Sequence, residues 1–143
     1  MKKLLALLLL VFVCSHASAF CFKEAADRYK VDEHLLRAIA KTENAAINPD
    51  LVVRKDGWEF MGLMMVSSIW LPELKKFGID RQRLLEPCVN VNVGAWVLSD
   101  AINKYGLTWK AVGAYNTGKY SEDVAAQRRY ITKVWKNLNL EKR

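Results

Sequence analysis

Glu43 is a carboxylate set among apolar neighbours. Leu36, Ile39, Ala40 and Glu43 fall at i, i+3, i+4 and i+7, on one face of a helix. Burying a charged carboxylate is costly, so two outcomes are open. Glu43 either lies at the helix end and reaches water, or its surroundings raise its pKa. The second outcome makes a general acid that holds its proton near neutral pH. No metal-ligand cluster, phosphate-binding loop or nucleophilic triad competes with it, and no cofactor is expected. His34, in the first turn of the same helix, reads as a surface residue.

The elements that must position Glu43 are mainly helical. Phe22, Ala25, Ala26 and Tyr29 recur at helical spacing, and Asp32 suits the N-cap of the Glu43 helix. That helix should stop before Asn48-Pro49. Leu51-Val52-Val53 and Trp58-Glu59-Phe60 flank Lys55-Asp56-Gly57, and an Asp-Gly turn between apolar runs predicts a hairpin. Ser67 can cap a segment running toward Phe77, with Pro72 in a first turn or at a break and Gly78 as its end. Val91, Ala95, Leu98, Ile102 and Tyr105 form one stripe closed by Gly106. Thr108 caps a short helix through Tyr115. A last helix after Ser121 has Glu122 and Asp123 in its first turn and carries Val124, Ile131, Trp135 and Leu138 inward. The expected fold is mainly α with one small β-hairpin.

Several segments, in order and at matching spacing, resemble the lytic transglycosylases with a lysozyme-like soluble-lytic-transglycosylase (SLT) domain. They are Cys21-Phe22, Leu35-Leu36-Arg37-Ala38-Ile39-Ala40 up to Glu43, Gly62-Leu63-Met64, Glu86-Pro87-Cys88, Gly94-Ala95-Trp96-Val97-Leu98, and Trp109 to Gly118 with Tyr115-Asn116 inside it. The nearest likeness is to small specialised members that accompany secretion systems, type IV pili and conjugation machines. The resemblance implies a lysozyme-like (goose-type) fold, Glu43 as the single catalytic acid and then base, and Gly62, Leu63 and Met64 as a cleft-lining segment. Tyr115 and Asn116 would close on Glu43 and the sugar. It implies cleavage of the β-1,4 bond between N-acetylmuramic acid and N-acetylglucosamine, with the C6 hydroxyl of the muramic acid closing a 1,6-anhydro ring. A hydrolysing muramidase and a non-catalytic glycan-binding assembly protein are the alternatives. The partners implied are peptidoglycan glycan strands and a component of a secretion, pilus or conjugation apparatus.

Three departures from the family pattern bear on the site. Asn44 stands where Ser usually follows the catalytic Glu, and Met65 stands where Gln usually follows Gly-Leu-Met; both positions are expected to meet substrate. On this reading, Asn44→Ser and Met65→Gln would raise activity. Phe60 falls where specialised members often carry an Asp. Glu59 beside it is an auxiliary candidate, although strand alternation points it to the other face. Trp58, Trp70, Trp96, Trp109 and Trp135 could stack on sugars; Trp96 and Trp135 read as core, and Trp58 is the cleft candidate.

The first residues set the compartment. Lys2-Lys3, the apolar run Leu4 to Val13 and Ala17-Ser18-Ala19 have the layout of a signal peptide over residues 1–19, leaving a catalytic domain over 20–143. The apolar run is about half of the roughly 20 residues that span a bilayer, so no stable membrane anchor is expected. The expected destination is the periplasm of a Gram-negative bacterium. Of three cysteines, Cys14 leaves with the leader. Cys21 and Cys88 then form an even pair in an oxidising compartment. A disulfide, two buried thiols and a metal pair all remain open, with no His near either. The resemblance favours the disulfide. The net charge of +7 becomes +5 without Lys2 and Lys3. It suits an acidic polymer, while the scatter of the basic residues argues against nucleic acid. A monomer is expected.

Overall fold

A computed structural model describes residues 20–142, so the leader reading falls outside the described residues. The chain runs α1 (Phe22–Tyr29), α2 (Glu33–Glu43), β1 (Val52–Lys55), β2 (Trp58–Met61), β3 (Val66–Ser67), α3 (Leu71–Leu74), α4 (Pro87–Tyr105), α5 (Trp109–Thr117) and α6 (Val124–Glu141). It is mainly α with a small antiparallel sheet, as expected.

The local signals act where they were read. The Asp32 carboxylate accepts from the Leu35 N–H at 2.8 Å and starts α2. Thr108 caps α5 through the Ala111 N–H. Asp56 and Gly57 both have positive φ, 51° and 80°, and turn β1 into β2 with Lys55 opposite Trp58. Pro72 occupies the first turn of α3, with 3₁₀ turns on either side over Ser68–Trp70 and Lys75–Phe77 and a stop at Gly78.

Three expectations are corrected. The hairpin is extended by β3, which pairs Val66 with Met61 and Ser67 with Phe60. Two residues are too few to show alternation, and the reversal at Gly62 that makes the pairing is a backbone event. In α6 the buried stripe is Gln127, Tyr130, Val134 and Leu138, while Val124 and Trp135 are exposed. The stripe was phased from Val124, which lies at the helix start where few neighbours cover it. Asp123 is the N-cap of α6, its carboxylate oxygen accepting from the Ala126 N–H, so the helix begins at Val124 and Glu122 and Asp123 precede it rather than filling its first turn.

One core joins the helices, with Leu36, Ile39, Leu63, Met64, Val91, Leu98 and Val134 fully buried. α6 lies against both α2 and α5, and α1 packs on α2 and α4. Cys21 and Cys88 are disulfide-bonded, Cα atoms 5.2 Å apart, joining the start of α1 to the first turn of α4. None of the described helices is long and apolar enough to cross a membrane.

Candidate active site

Glu43 is the last residue of α2 and lies mostly covered at the bottom of a cleft of about 540 Å³. Phe60, Met65, Trp70, Tyr115 and Asn116 share the cleft wall with it. Burial pushes the Glu43 carboxyl up from 4.5 to about 7, against the opposing pull of the Tyr130 hydroxyl, the Lys133 charge and the Asn116 amide. Desolvation therefore outweighs three groups that favour the charged form. The group is protonated about half the time at neutral pH, which suits a residue that can both give and take a proton.

The helix stops at Glu43 because Asn44 leaves the helical region, with φ −138° and ψ 82°. Its side chain then takes over the capping of the loop. Asn44 Nδ2 donates to the Asn48 carbonyl at 2.6 Å and the Gly62 carbonyl at 3.2 Å, and its Oδ1 accepts from the Asn48 N–H at 3.1 Å. At 1% exposure it cannot meet a sugar, which corrects the expectation from sequence. Asn44 stitches the end of α2 to the cleft floor. Asn44→Ser, too short to span both carbonyls, is therefore expected to destabilise by about 1–3 kcal/mol, the penalty for buried polar groups left without partners. A thermal melt checks this. Activity should fall with it, the reverse of the gain expected from family pattern.

Gly62, Leu63 and Met64 form that floor, and they act through backbone and packing. Leu63 and Met64 are fully buried, so neither side chain lines the cleft. Gly62 has φ 75°, and a Cβ there would lie 2.4 Å from Asn90 Nδ2. The buried Asn90 side chain is what crowds it: Nδ2 donates to the Met61 and Leu84 carbonyls, both at 2.9 Å, and Oδ1 accepts from the Met64 N–H at 2.8 Å. Gly94 leaves room for Met64 to press on α4. The Met64 carbonyl in turn accepts from the Tyr115 hydroxyl at 2.7 Å, which fixes that ring beside Glu43. Met65, at φ 46°, does line the cleft.

α5 and α6 supply the opposite side. Tyr115 and Tyr130 both have hydroxyl pKa values pushed well up, first by burial and then by the Glu43 charge. The buried Tyr130 hydroxyl makes no hydrogen bond of ordinary length. It remains a proton donor turned toward Glu43, whose charged form it favours. The loop after α5 is pinned: Lys119 pairs with Asp100 at 2.6 Å, the Lys119 carbonyl accepts from the Tyr105 hydroxyl at 2.6 Å, and Gln127 Nε2 donates to Thr117 Oγ1 and the Ser121 carbonyl.

Two auxiliary candidates lie elsewhere. Glu59 faces away from the cleft-lining Phe60 and is ion-paired to Arg81 at 2.6 Å and Arg54 at 2.8 Å. The hydrogen bond from Arg81 leads in holding its carboxyl below the ordinary range, which makes it a poor acid. Trp58 stands half-exposed at the hairpin end and does not line the cleft; Trp70 does, edge-on to Trp96 at 5.1 Å. Sequence reasoning missed Asn90 and Tyr130. For Asn90 a signal was present: it lies one turn before Gly94 on the buried face of α4, a polar residue on an apolar side as Glu43 is. Among the described residues no group of three His, Cys, Asp or Glu side chains is placed to hold a metal.

A helical domain with a small sheet, and a near-neutral carboxyl at the helix end beneath a cleft, define a lysozyme-like fold. Residues 20–138 match the family described as transglycosylase SLT domain, and the chain belongs to that family. It is 39% identical over 122 residues to invasion protein IagB of Salmonella typhi, covering 85% of this chain and 76% of that one. It is 37% identical over 142 residues to the X polypeptide of Escherichia coli K12 (95% and 83% covered) and 32% identical over 135 residues to protein IpgF of Shigella flexneri (87% and 88%). Among solved structures, an inactive mutant of the lytic transglycosylase Slt from Pseudomonas aeruginosa superposes with a TM-score of 0.68 at 23% identity. That match covers 91% of this chain but 24% of the larger one, so the chain spans about a quarter of that protein's length.

Proposed function

We propose that this protein is a peptidoglycan lytic transglycosylase in which Glu43 serves as acid and then as base. The observation that carries this reading is the burial of Glu43 at the cleft bottom, with a carboxyl pKa of about 7. Asp100, the other acid on the cleft wall, is already paired with Lys119. Protonated Glu43 gives its proton to the glycosidic oxygen, and the bond from C1 of N-acetylmuramic acid breaks. The positive charge at C1 is met by the carbonyl oxygen of the sugar's own N-acetyl group, in place of the second carboxylate of most glycosidases. The Glu43 carboxylate then takes the proton of the C6 hydroxyl, whose oxygen closes on C1. The ring product carries a 1,6-anhydro bridge, Glu43 ends protonated, and no water is consumed. Tyr130 and Asn116 hold the carboxylate between the two transfers.

Mass spectrometry of digested sacculi tests the reaction. Anhydromuramic ends are expected; reducing ends would make the protein a hydrolase, and no new ends would make it a binding protein. Tyr130→Phe tests the site's electrostatics. Removing a group that favours the charged form should move the Glu43 pKa further upward, so the limb of the rate profile that needs the carboxylate shifts to higher pH. The maximal rate should fall by about tenfold, within the usual range for acid–base positioning. An unchanged profile would remove Tyr130 from the mechanism.

The same reading places the mature protein in the periplasm, after cleavage of residues 1–19, where the Cys21–Cys88 disulfide is stable. It serves an envelope-spanning apparatus by opening the wall locally. The likeness to a protein named for invasion supports this. Deletion of the gene, with assembly of the apparatus as the readout, tests it.

A further inference from the structure

The cleft does not end at Glu43 and Asn116. Its wall continues along the loop 118–121 and along Val97, Asp100 and Ala101 of α4. Tyr120 stands on that loop and lines the cleft at 77% exposure. A bare ring is ordinary on a loose loop, but here the backbone on both sides of it is fixed. The Lys119 carbonyl accepts from the Tyr105 hydroxyl at 2.6 Å and from Lys104 Nζ at 3.0 Å. Lys119 Nζ is paired with Asp100 at 2.6 Å. The Ser121 N–H donates to the Gly118 carbonyl at 3.1 Å, and the Ser121 carbonyl accepts from Gln127. The ring is held as well. The Lys104 ammonium lies 3.8 Å from its centroid in a cation–π contact, with the Lys119 ammonium at 5.5 Å. These contacts immobilise a ring that buries little of itself in the protein. Its surface is offered, in a fixed place, to whatever enters the cleft.

The chemistry of the cleft says what that is. Away from Glu43 and Asn116, its polar side chains are already engaged. Asp100 holds Lys119, Thr117 Oγ1 meets the Gly113 carbonyl and Gln127, Ser67 Oγ accepts from the Ile69 N–H, and Ser121 Oγ accepts from the Asp123 N–H. What stays open is apolar. Phe60, Ile69 and Trp70 line the cleft on the side of the sheet, and Ile69 is 54% exposed. A charged ligand would meet a lysine and an aspartate that neutralise each other. A ligand that fits such walls has flat apolar faces and polar edges that remain in water. A pyranose ring is built this way: its C–H groups form the faces, and its equatorial hydroxyl and N-acetyl groups point outward. An aromatic ring, with its large apolar face and polar tip, is the matching surface.

We infer that Tyr120 is a sugar platform of the cleft, its ring stacking on a pyranose further along the glycan strand than the one held at Glu43. Asn116 bonds to the Glu43 carboxyl, and Tyr120 follows it by four residues, so the two points are at most about 14 Å apart along the backbone and one strand reaches both. The inference rests on the glycan reading of the cleft. It adds a residue that acts on binding and not on the chemical step, with Lys104 as the positioning residue behind it.

Peptide-free glycan strands, prepared from sacculi with an amidase, test this by calorimetry on the Glu43→Gln protein, which leaves them uncut. In that background Tyr120→Ala should weaken binding about tenfold, the scale of one aromatic contact, and Tyr120→Phe should bind normally. Tyr120→Leu keeps the apolar bulk without the flat ring and should bind as weakly as Tyr120→Ala. In the parental protein Tyr120→Ala should raise the half-saturating amount of sacculi by a similar factor and leave the maximal rate within about twofold. At 77% exposure none of these variants should lower the thermal midpoint. Unchanged strand binding in Tyr120→Ala, or equal binding by Tyr120→Leu and Tyr120→Phe, overturns the inference. So does a free stem peptide that binds the parental cleft and loses its affinity in Tyr120→Ala, which would make Tyr120 a peptide contact. Strands that bind no form of the protein overturn it together with the glycan reading. A parental protein that binds strands through Tyr120 and cuts none would refute the Glu43 mechanism and leave this inference standing.

Discussion

Glu43→Gln protein is expected to cut sacculi at less than about one-thousandth of the parental rate. A single acid–base group commonly contributes about 10²–10⁴-fold, and on the proposed mechanism one residue serves both proton transfers, with no other free carboxylate on the cleft wall. The amide keeps the shape of the acid and can neither donate a proton to the glycosidic oxygen nor take one from the C6 hydroxyl. Retention of near-normal cleavage by the purified variant would end the single-acid mechanism. The same variant carries a stability signature. The folded carboxyl, at about 7, lies above its ordinary 4.5. Between those values the native protein keeps a proton that the unfolded chain has lost, so parental stability falls as pH rises through that window and levels off beyond it. Glutamine removes this slope. The stability gained by the variant relative to the parent should therefore grow from pH 4.5 to pH 8, by about 1–3 kcal/mol. Parallel melts across that range check it, and a constant difference would mean that the carboxyl is not raised.

Cys21→Ser or Cys88→Ser is expected to cause the largest loss of stability. The bridge closes a loop with a sequence separation of 67, for which the chain-entropy model gives about 4 kcal/mol. In a domain of this size that lowers the thermal midpoint by more than about 10 °C. Reduction of the parental protein should reproduce the shift, and neither serine variant should respond to reductant. Well below the midpoint, cleavage should remain within a few-fold of parental, because Glu43, Tyr115 and Tyr130 all lie on other helices. A midpoint unchanged by both serine substitutions and by reductant would show that the cross-link adds nothing to stability.

The parts of this protein that were legible in sequence are those in which a residue type contradicts or punctuates its surroundings. Glu43 stood out as an acid on an apolar stripe. Asp32, Thr108, Asp56-Gly57 and Gly78 act locally, so their roles needed no tertiary information. Asn44 was misread because its position next to Glu43 suggests a sugar contact, whereas its role is decided by the carbonyls of Asn48 and Gly62, the second of them 18 residues away. Trp135 was taken as core for a related reason. Helical periodicity gives the width of a stripe, but the neighbouring helices set its phase, and in α6 they select Gln127, Tyr130, Val134 and Leu138. The strand β3 exists only because the Gly62 reversal brings Val66 and Ser67 back onto β2.

The place of α6 has a consequence for when this protein can first act. Glu43 and the floor beneath it belong to the first half of the chain. α6, the last element, packs on α2 and adds to the burial that raises the acid, while its Tyr130 and Lys133 pull the carboxyl back toward the charged form. In a chain without a docked α6, the side of Glu43 that α6 covers is open to water, which draws the carboxyl toward its ordinary value. The burial of the acid thus draws on a long-range contact, between segments about 90 residues apart, that local structure formation does not supply. On the proposed mechanism the site then works only in the complete fold, and the pKa of Glu43 becomes a reporter of whether the C-terminal helix has arrived.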